Sequence, residues 1–380
     1  MERVRFGVIG TGGMGQGHCE KMGQLEEVEL TCVCDVDKDK VQGVARQYGI
    51  PYFLKHRELL DSGLADAVMI ATPHYFHPPI AIDAFRKGIH VLSEKPIGVT
   101  VKAADKMIRS ADRSGLVFSV MFQWRSEPAF QAAKMLMDQS RLGIIYRTEL
   151  MMGSFRSQAY YDSATWRATW KGEGGGVLLN QAPHIMDIFT WLAGTPQKVQ
   201  GKLHTRRHAI EVEDEACALL EYPSGATGYI HCSVNEVPGV NRMEICGEKG
   251  KILLEGRTLS FYEVEEGIQA YCDGTDQMWG APASAKKRVS LKSRQTGHAA
   301  IIRNTARAIL YGEELLSPGR EGLHSLELAN AMILSGIKKK AVRIPLDRDE
   351  YEALISDLKK TSKIKKKLRL QTATDPQHKG

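Results

Sequence analysis

No apolar stretch in the 380-residue sequence approaches the ~20 residues of a membrane-spanning helix, so no membrane partner is expected. The seven cysteines are scattered from Cys19 to Cys272. An odd, dispersed set is not a disulfide framework and points to reduced thiols in a cytoplasmic protein. Cys32 and Cys34 share a strand face, but no second pair lies near them to complete a metal site. No cluster of His, Cys and Asp has metal-ligand spacing, so a metal-free reaction is expected. In MERVRFGVIG a strand starts almost at once, and no signal peptide is expected before it. Internal repeats and a low-complexity linker are also missing.

The net charge of +6 is not a nucleic-acid footprint. Lys359, Lys360, Lys363, Lys365, Lys366, Lys367 and Arg369 alone exceed it, and all lie in the polar stretch KKTSKIKKKLRLQTATDPQHKG. With that segment read as a solvated tail or a frayed helix end over 359–380, the remaining body is near neutral, which excludes a surface that tracks a phosphate backbone.

What is present is an ordinary globular composition, 43% hydrophobic and 25% charged, at a length that implies two domains. Residues 1–124 alternate strand and helix: VRFGVIG, VELTCVCDVD, AVMIATP, the strand within AIDAFRKGIHVLSEKP, and LVFSVMFQW read as five strands. Helical segments between them, such as KDKVQGVARQY and VKAADKMIRSADRSG, imply a doubly wound parallel sheet covered on both faces. Over 125–358 the pattern changes. Long strand-like stretches joined by PSG or EKG turns predict antiparallel hairpins in an α+β domain, with helices at AAIIRNTARAIL and LHSLELANAMILSGIKKK.

Gly10-Thr11-Gly12-Gly13-Met14-Gly15 follows the first strand and opens a helix. In this setting Gly10 makes the tight turn, Gly12 admits a pyrophosphate and Gly15 allows close helix–strand packing. The helix N-terminus offers the phosphates free N–H groups. Asp35, at the end of the second strand, can accept from both ribose hydroxyls and repels a 2′-phosphate, which favours NAD over NADP. Its other reading is a cap for the turn DVDKDK; Lys38 and Lys40 keep NADP open.

The glycine loop, ATPHYFH (71–77), Glu94-Lys95-Pro96 and GGGVLLNQAPHIMD together resemble the Gfo/Idh/MocA family of nicotinamide-dependent oxidoreductases, in order and spacing, up to about residue 350. The resemblance implies a Rossmann domain followed by an α+β domain with a large open sheet, often a homo-oligomer interface. It implies oxidation or reduction of a secondary alcohol on a sugar, glycoside or cyclitol. Lys95 resembles the lysine beside the nicotinamide, and His184 the histidine that shuttles the substrate proton. Thr72, Pro73, His77 and Glu94 resemble residues lining the cofactor, while Arg125, Trp166 and Arg167 fall where substrate or cofactor is often touched. Asn180 stands where Asp is usual in the inositol dehydrogenase branch; it can position substrate but cannot carry charge. That departure favours a pyranoside, oxidised at C3, over an inositol. His74 stands where Asn is common and is assigned no role.

The residue types suit that chemistry. Hydride loss from a carbinol needs concerted proton removal, which an imidazole can supply near neutral pH, and a buried lysine can donate to the developing alkoxide. A helix starting at Val177 would put Asn180, His184 and Asp187 on one face, with the three glycines letting the chain approach the nicotinamide. Pro183 opposes this; if the helix starts there, Asn180 belongs to the preceding turn. Asp187 reads as structural. The alternatives are an inositol dehydrogenase, a redox-neutral glycoside-cleaving enzyme with tightly held NAD, and a cofactor-binding sensor.

Overall fold

The computed structural model describes residues 2–292 and 295–363. Most of the expected basic tail, 364–380, therefore lies outside the described residues.

The chain opens with β1 (Val4–Ile9), α1 (Gly13–Met22), β2 (Val28–Cys34), α2 (Lys38–Tyr48), β3 (Tyr52–Phe53), α3 (His56–Asp61) and β4 (Ala67–Ile70). It continues with α4 (His77–Arg86), β5 (His90–Ser93), α5 (Val101–Ser114) and β6 (Phe118–Val120). The strands form one parallel sheet in the order β3-β2-β1-β4-β5-β6. Val4, Phe6, Val8 and Ile9, with all of β4, are buried, because a parallel strand covered by helices on both faces has no solvent side. Local chemistry ends the helices where the sequence suggests: Asp37 accepts from Lys40 N ahead of α2, Thr100 accepts from Ala103 N ahead of α5, and glycines follow both. Strand order reverses between β1 and β4, and ligands of such sheets bind in the crevice beyond those strand ends. Two elements are additional to the sequence reading, the two-residue β3 and the short α3. LVFSVMFQW is also less regular than expected: its strand ends at Val120, and Gln123–Ser126 forms a 3-10 turn.

The second sheet draws on β7 (Ile145–Phe155), β8 (Lys198–His204), β9 (Glu215–Glu221), β10 (Thr227–Ser233), β11 (Asn235–Gly247), β12 (Gly250–Glu255), β13 (Thr258–Val264), β14 (Ser284–Lys287) and β15 (Val342–Arg343). Its order is β14-β13-β12-β11-β7-β10-β9-β8-β15, antiparallel except for the β7–β10 pair. The EKG and PSG turns do join hairpins, β11–β12 and β9–β10. The associated helices are α6 (Pro128–Asp138), α7 (Gln158–Tyr161), α8 (Pro183–Ala193), α9 (Ile268–Gly274), α10 (Gly297–Tyr311), α11 (Gly322–Lys338) and α12 (Arg348–Thr361). Helices α8 and α11 pack on one sheet face, α8 against β7 and β11, α11 against β8.

Two segments tie the halves together. Helix α10 returns to the first domain, where Ile301, Ile302 and Ala306 join the core formed by Val4, Phe6, Val8 and Met22. Ser317 O then accepts from Val120 N at 3.1 Å and from Ser119 Oγ at 3.0 Å. Helix α12 runs to Thr361, past the expected start of the tail at 359. Lys359 Nζ sits 3.7 Å from the centroid of the Tyr75 ring, and Lys363 N donates to Glu211 at 2.7 Å.

Candidate active site

At the crevice, the glycines do what their positions suggest. Gly10 has φ +99°, and a Cβ on Gly15 would lie 1.8 Å from Gly10 O, so any side chain there would push α1 off the β1 turn. A Cβ on Gly12 would meet nothing within 4 Å, leaving the backbone open to a ligand. Helix α1, which begins at Gly13 and Met14, has no side-chain cap and no acidic residue in its first turn. An anion at this N-terminus would meet backbone donors and no carboxylate from the helix's own first turn. Asp35 Oδ2 accepts from Thr11 N at 2.7 Å and Thr11 Oγ1 at 3.1 Å, and Oδ1 from Asp37 N at 3.0 Å. These bonds fix the half-buried carboxylate at the end of β2; Asp37, not Asp35, caps α2. Thr72 Oγ1, beside Pro73 at the end of β4, is buried with no hydrogen-bond partner among the described residues, as a group awaiting a polar ligand would be. This set fits a dinucleotide.

Two expected cofactor residues are placed differently. His77 is fully buried with Nδ1 2.8 Å from Pro96 O and Nε2 2.7 Å from Thr72 O, so it joins the two strand-end loops from beneath. Glu94 Oε1 lies 2.8 Å from His18 Nε2 on α1, and Oε2 accepts from Lys95 N at 3.1 Å. Burial raises the Glu94 carboxyl, but His18, Lys95 and His298 outweigh it and hold the group well below the usual carboxylate range.

Lys95 follows β5 and reaches the second domain, where Nζ donates to Asn180 O at 3.1 Å. Burial pushes its ammonium pKa below the ordinary lysine value, and Glu94 and Glu173 oppose that shift. The Asn180 side chain is also committed: Nδ2 donates to Glu173 Oε1, and Oδ1 accepts from Tyr160 OH at 3.2 Å. Tyr160 OH accepts from Arg167 and from Gln181 Nε2, the latter at 3.2 Å. The Arg167 guanidinium lies 4.2 Å from the Tyr160 ring centroid and 5.0 Å from that of Trp166. Lys95, Asn180, Trp166 and Arg167 are thus brought together, around Tyr160, Glu173 and Gln181, which sequence reasoning missed. His74, assigned no role, places Nδ1 3.2 Å from Glu173 O.

The helix expected from Val177 starts instead at Pro183, whose ring suits the first helical position. Asn180 lies in the turn before it, so no shared helical face joins it to His184. His184 is 7% exposed, stacked on Trp124 at 5.7 Å and edge-on to Phe122 at 6.1 Å. Its Nε2 lies 3.3 Å from Gln123 Nε2. The three glycines also have a different reason from the expected one. A Cβ on Gly176 would sit 1.8 Å from Glu213 O, and one on Gly174 2.2 Å from Val99, so the close approach is to protein. Glu213 Oε1 accepts from Gly176 N at 2.9 Å and Leu178 N at 3.2 Å.

Arg125, expected to touch substrate or cofactor, is 2% exposed and serves as a buried brace. Its guanidinium grips Asp187 on α8 through two bonds, of 2.8 and 2.7 Å, and also pairs with Glu321. This fixes α8, and with it His184, against the domain junction. Asp187 is structural, as expected. Among the described residues no group of His, Cys, Asp or Glu could hold a metal ion, and no helix is long and apolar enough to cross a membrane.

A glycine-lined helix N-terminus at the switch point of a parallel sheet, with a partly buried lysine beyond the end of β5, is the arrangement of a dinucleotide-binding oxidoreductase. Comparison with known proteins agrees and narrows the class. Residues 4–122 match the oxidoreductase family with an NAD-binding Rossmann fold, and residues 130–253 match the GFO/IDH/MocA C-terminal domain. The chain belongs to the GFO/IDH/MocA family: it is an NAD-binding oxidoreductase acting on CH–OH groups. It is 24% identical to D-apiose dehydrogenase of Paraburkholderia graminis, over 94% of each chain. It is 27% identical to scyllo-inositol 2-dehydrogenase (NAD(+)) of Bacillus subtilis, over 66% of this chain and 74% of that one. Among solved structures, the WlbA dehydrogenase from Bordetella pertussis in complex with NADH and UDP-GlcNAcA superposes with a TM-score of 0.77 at 29% identity, covering 91% of this chain and all of that one.

Proposed function

We propose that the protein is an NAD-dependent dehydrogenase acting on a ring secondary alcohol, or the corresponding ketone, of a sugar or glycoside, at C3 of a pyranoside. The observation that carries this reading is the seating of Lys95 Nζ on the carbonyl of Asn180, four residues before His184, beyond the strand end that flanks the nucleotide crevice. It joins a partly buried ammonium from the first domain to the loop of the second that leads into the histidine helix. The similarity to proteins named for apiose and scyllo-inositol, and to one solved with a sugar nucleotide, supports a polyhydroxylated ring as substrate.

Nicotinamide, when bound, takes up or returns the hydride. The residues of this chain manage the rest. Lys95 donates to the substrate oxygen as negative charge develops there. His184 takes the hydroxyl proton in one direction and returns it in the other. Gln123 serves either state of that ring: its amide N–H donates to a neutral Nε2, and its carbonyl, with the amide turned over, accepts from a protonated one. Arg167, stacked between Tyr160 and Trp166, offers planar donors to substrate oxygens. Thr72, the glycine loop and Asp35 hold the dinucleotide. The open nine-stranded sheet serves self-association, which sedimentation measures.

The test is NADH formation, followed at 340 nm, with a panel of glycosides, free sugars and inositols. Turnover of pyranosides that disappears in Lys95→Met and in His184→Ala supports the reading. Turnover of inositols with none of glucosides assigns a cyclitol substrate instead, and absence of NADH with every polyol refutes both. Release of the aglycone without added NAD, by protein that already carries nicotinamide absorbance, would assign redox-neutral cleavage.

A further inference from the structure

Glu173 is 1% exposed, and the cations that act on its carboxylate are Arg167 and, more weakly, Lys95. Its oxygens are spoken for: Oε2 accepts from Ala168 N at 2.5 Å, and Oε1 from Asn180 Nδ2. Burial makes a charged carboxylate costly and raises the Glu173 carboxyl above its ordinary value, against the pull of Arg167 and the bonds from Ala168 N and Asn180. The fold does not require the charge. A glutamine would accept from Ala168 N equally well, and Asn180 could meet the new N–H donor by turning its amide, at the cost of the bond from Tyr160 OH.

The charge has a use one residue away. Asn180 bonds Glu173 through its side chain and Lys95 through its backbone carbonyl, so the carboxylate and the ammonium share one bridging residue. Glu94 is the stronger of the two carboxylates acting on Lys95, but its Oε1 is bound to His18 and its Oε2 to the Lys95 backbone N–H. Arg167 is the cation that acts most strongly on Glu173, ahead of Lys95.

We propose that Glu173 is a second counter-charge of Lys95 beside Glu94, a positioning residue that acts through Asn180 and helps keep the ammonium protonated. The assignment supplies from the preceding turn the negative charge that an asparagine at 180 cannot carry. It rests on the dehydrogenase reading only in calling Lys95 the donor to substrate.

The test is a charge swap in the full-length protein. In Glu173→Gln the charge is lost while the bond from Ala168 N remains; in Glu173→Gln/Asn180→Asp the charge returns on the other side of the same hydrogen bond. Reductive ¹³C-methylation and NMR titration report each lysine, with the Lys95 resonance identified by its absence in Lys95→Arg. The Lys95 midpoint is expected to fall by about one unit in Glu173→Gln and to return in the swap. At neutral pH kcat should fall about tenfold and recover, with KM within about twofold throughout. A purely structural role would lower the melting temperature and would not follow the charge. An unchanged Lys95 midpoint in Glu173→Gln, or no recovery in a folded swap, overturns the proposal. Should Glu173→Gln fail to fold, Asn180→Asp alone decides: a second carboxylate must raise the Lys95 midpoint, and no rise overturns the proposal. Midpoints that move as described in a protein that reduces no NAD with any polyol would sink the dehydrogenase reading and leave the counter-charge standing.

Discussion

Glu213 lies directly under the glycine triplet, and its ionisation should make the stability of the protein fall as pH rises. Oε1 holds Gly176 N and Leu178 N, and the backbone carbonyl accepts from Val177 N at 3.0 Å. Oε2 is buried without a partner among the described residues. Burial, reinforced by the charge of Glu173, outweighs these bonds and pushes the carboxyl from 4.5 up to about 7. An acid whose folded pKa lies above its unfolded value binds its proton more tightly in the native state. Its stabilisation is complete below the unfolded value and is lost as pH rises from 4.5 through about 7. At 1.36 kcal/mol per unit, a shift of that size amounts to about 3 kcal/mol. In Glu213→Gln the acceptor for the two amides remains, the titration is gone, and an N–H group takes the unpartnered place at a cost of about 1–3 kcal/mol. The variant should melt below wild type at pH 5 and draw level or exceed it at pH 8. The difference should move by about 3 kcal/mol, or roughly 5 °C, in a paired thermal melt at each pH. A difference independent of pH would refute the reasoning, because it would mean that Glu213 keeps its charge, or loses it, equally in both states.

Other expectations are simpler to read. Gly15→Ala must displace Gly10 O, which its Cβ would overlap, so NADH binding followed by fluorescence should be lost in a chain that still folds its second domain. Arg125→Met leaves Asp187 buried without its partner and frees Glu321; a loss of about 3–5 kcal/mol in denaturant unfolding is expected, since breaking one side of a buried pair strands the other charge. If Asp35 holds the adenosine ribose as proposed, Asp35→Ser should narrow the preference for NAD over NADP by at least tenfold in kcat/KM, with Lys38 and Lys40 close in sequence to meet a phosphate.

Much of this molecule was legible in its sequence because its strongest signals are local. Continuous apolar runs announce β1 and β4, which are buried on both faces, and the glycine loop reads directly as a turn between strand and helix. Lys95 was named from the resemblance carried by Glu94-Lys95-Pro96 and from its place at a strand end on the edge of the sheet where ligands gather. The two-residue β3 and the six-residue α3 carry too little periodicity to show. The parallel contact between β7 and β10 depends on strands brought side by side by tertiary packing, and no turn residue encodes it. Within the site, the four-residue spacing of Asn180 and His184 suggested one helical face, and Pro183 prevailed by starting the helix between them. Tyr160, Glu173 and Gln181 lie in or beside irregular segments, where no period marks a side chain as inward. A usable signal was present in one case: an acidic residue ahead of three glycines, in a stretch otherwise apolar enough to be buried. That Arg125 is a buried brace between Asp187 and Glu321 was not legible, because a brace and a substrate contact look alike in one dimension.

The return of α10 makes the nucleotide-binding half a composite of two distant stretches of polypeptide. A fragment cut after Trp124 would keep every strand of its sheet but leave the seat of Ile301, Ile302 and Ala306 bare beside Met22. It would also lose the Ser317 carbonyl that closes the edge at β6. Grafting this half onto another catalytic partner, or expressing it alone as a coenzyme reporter, therefore calls for carrying residues 297–318 along as a second piece.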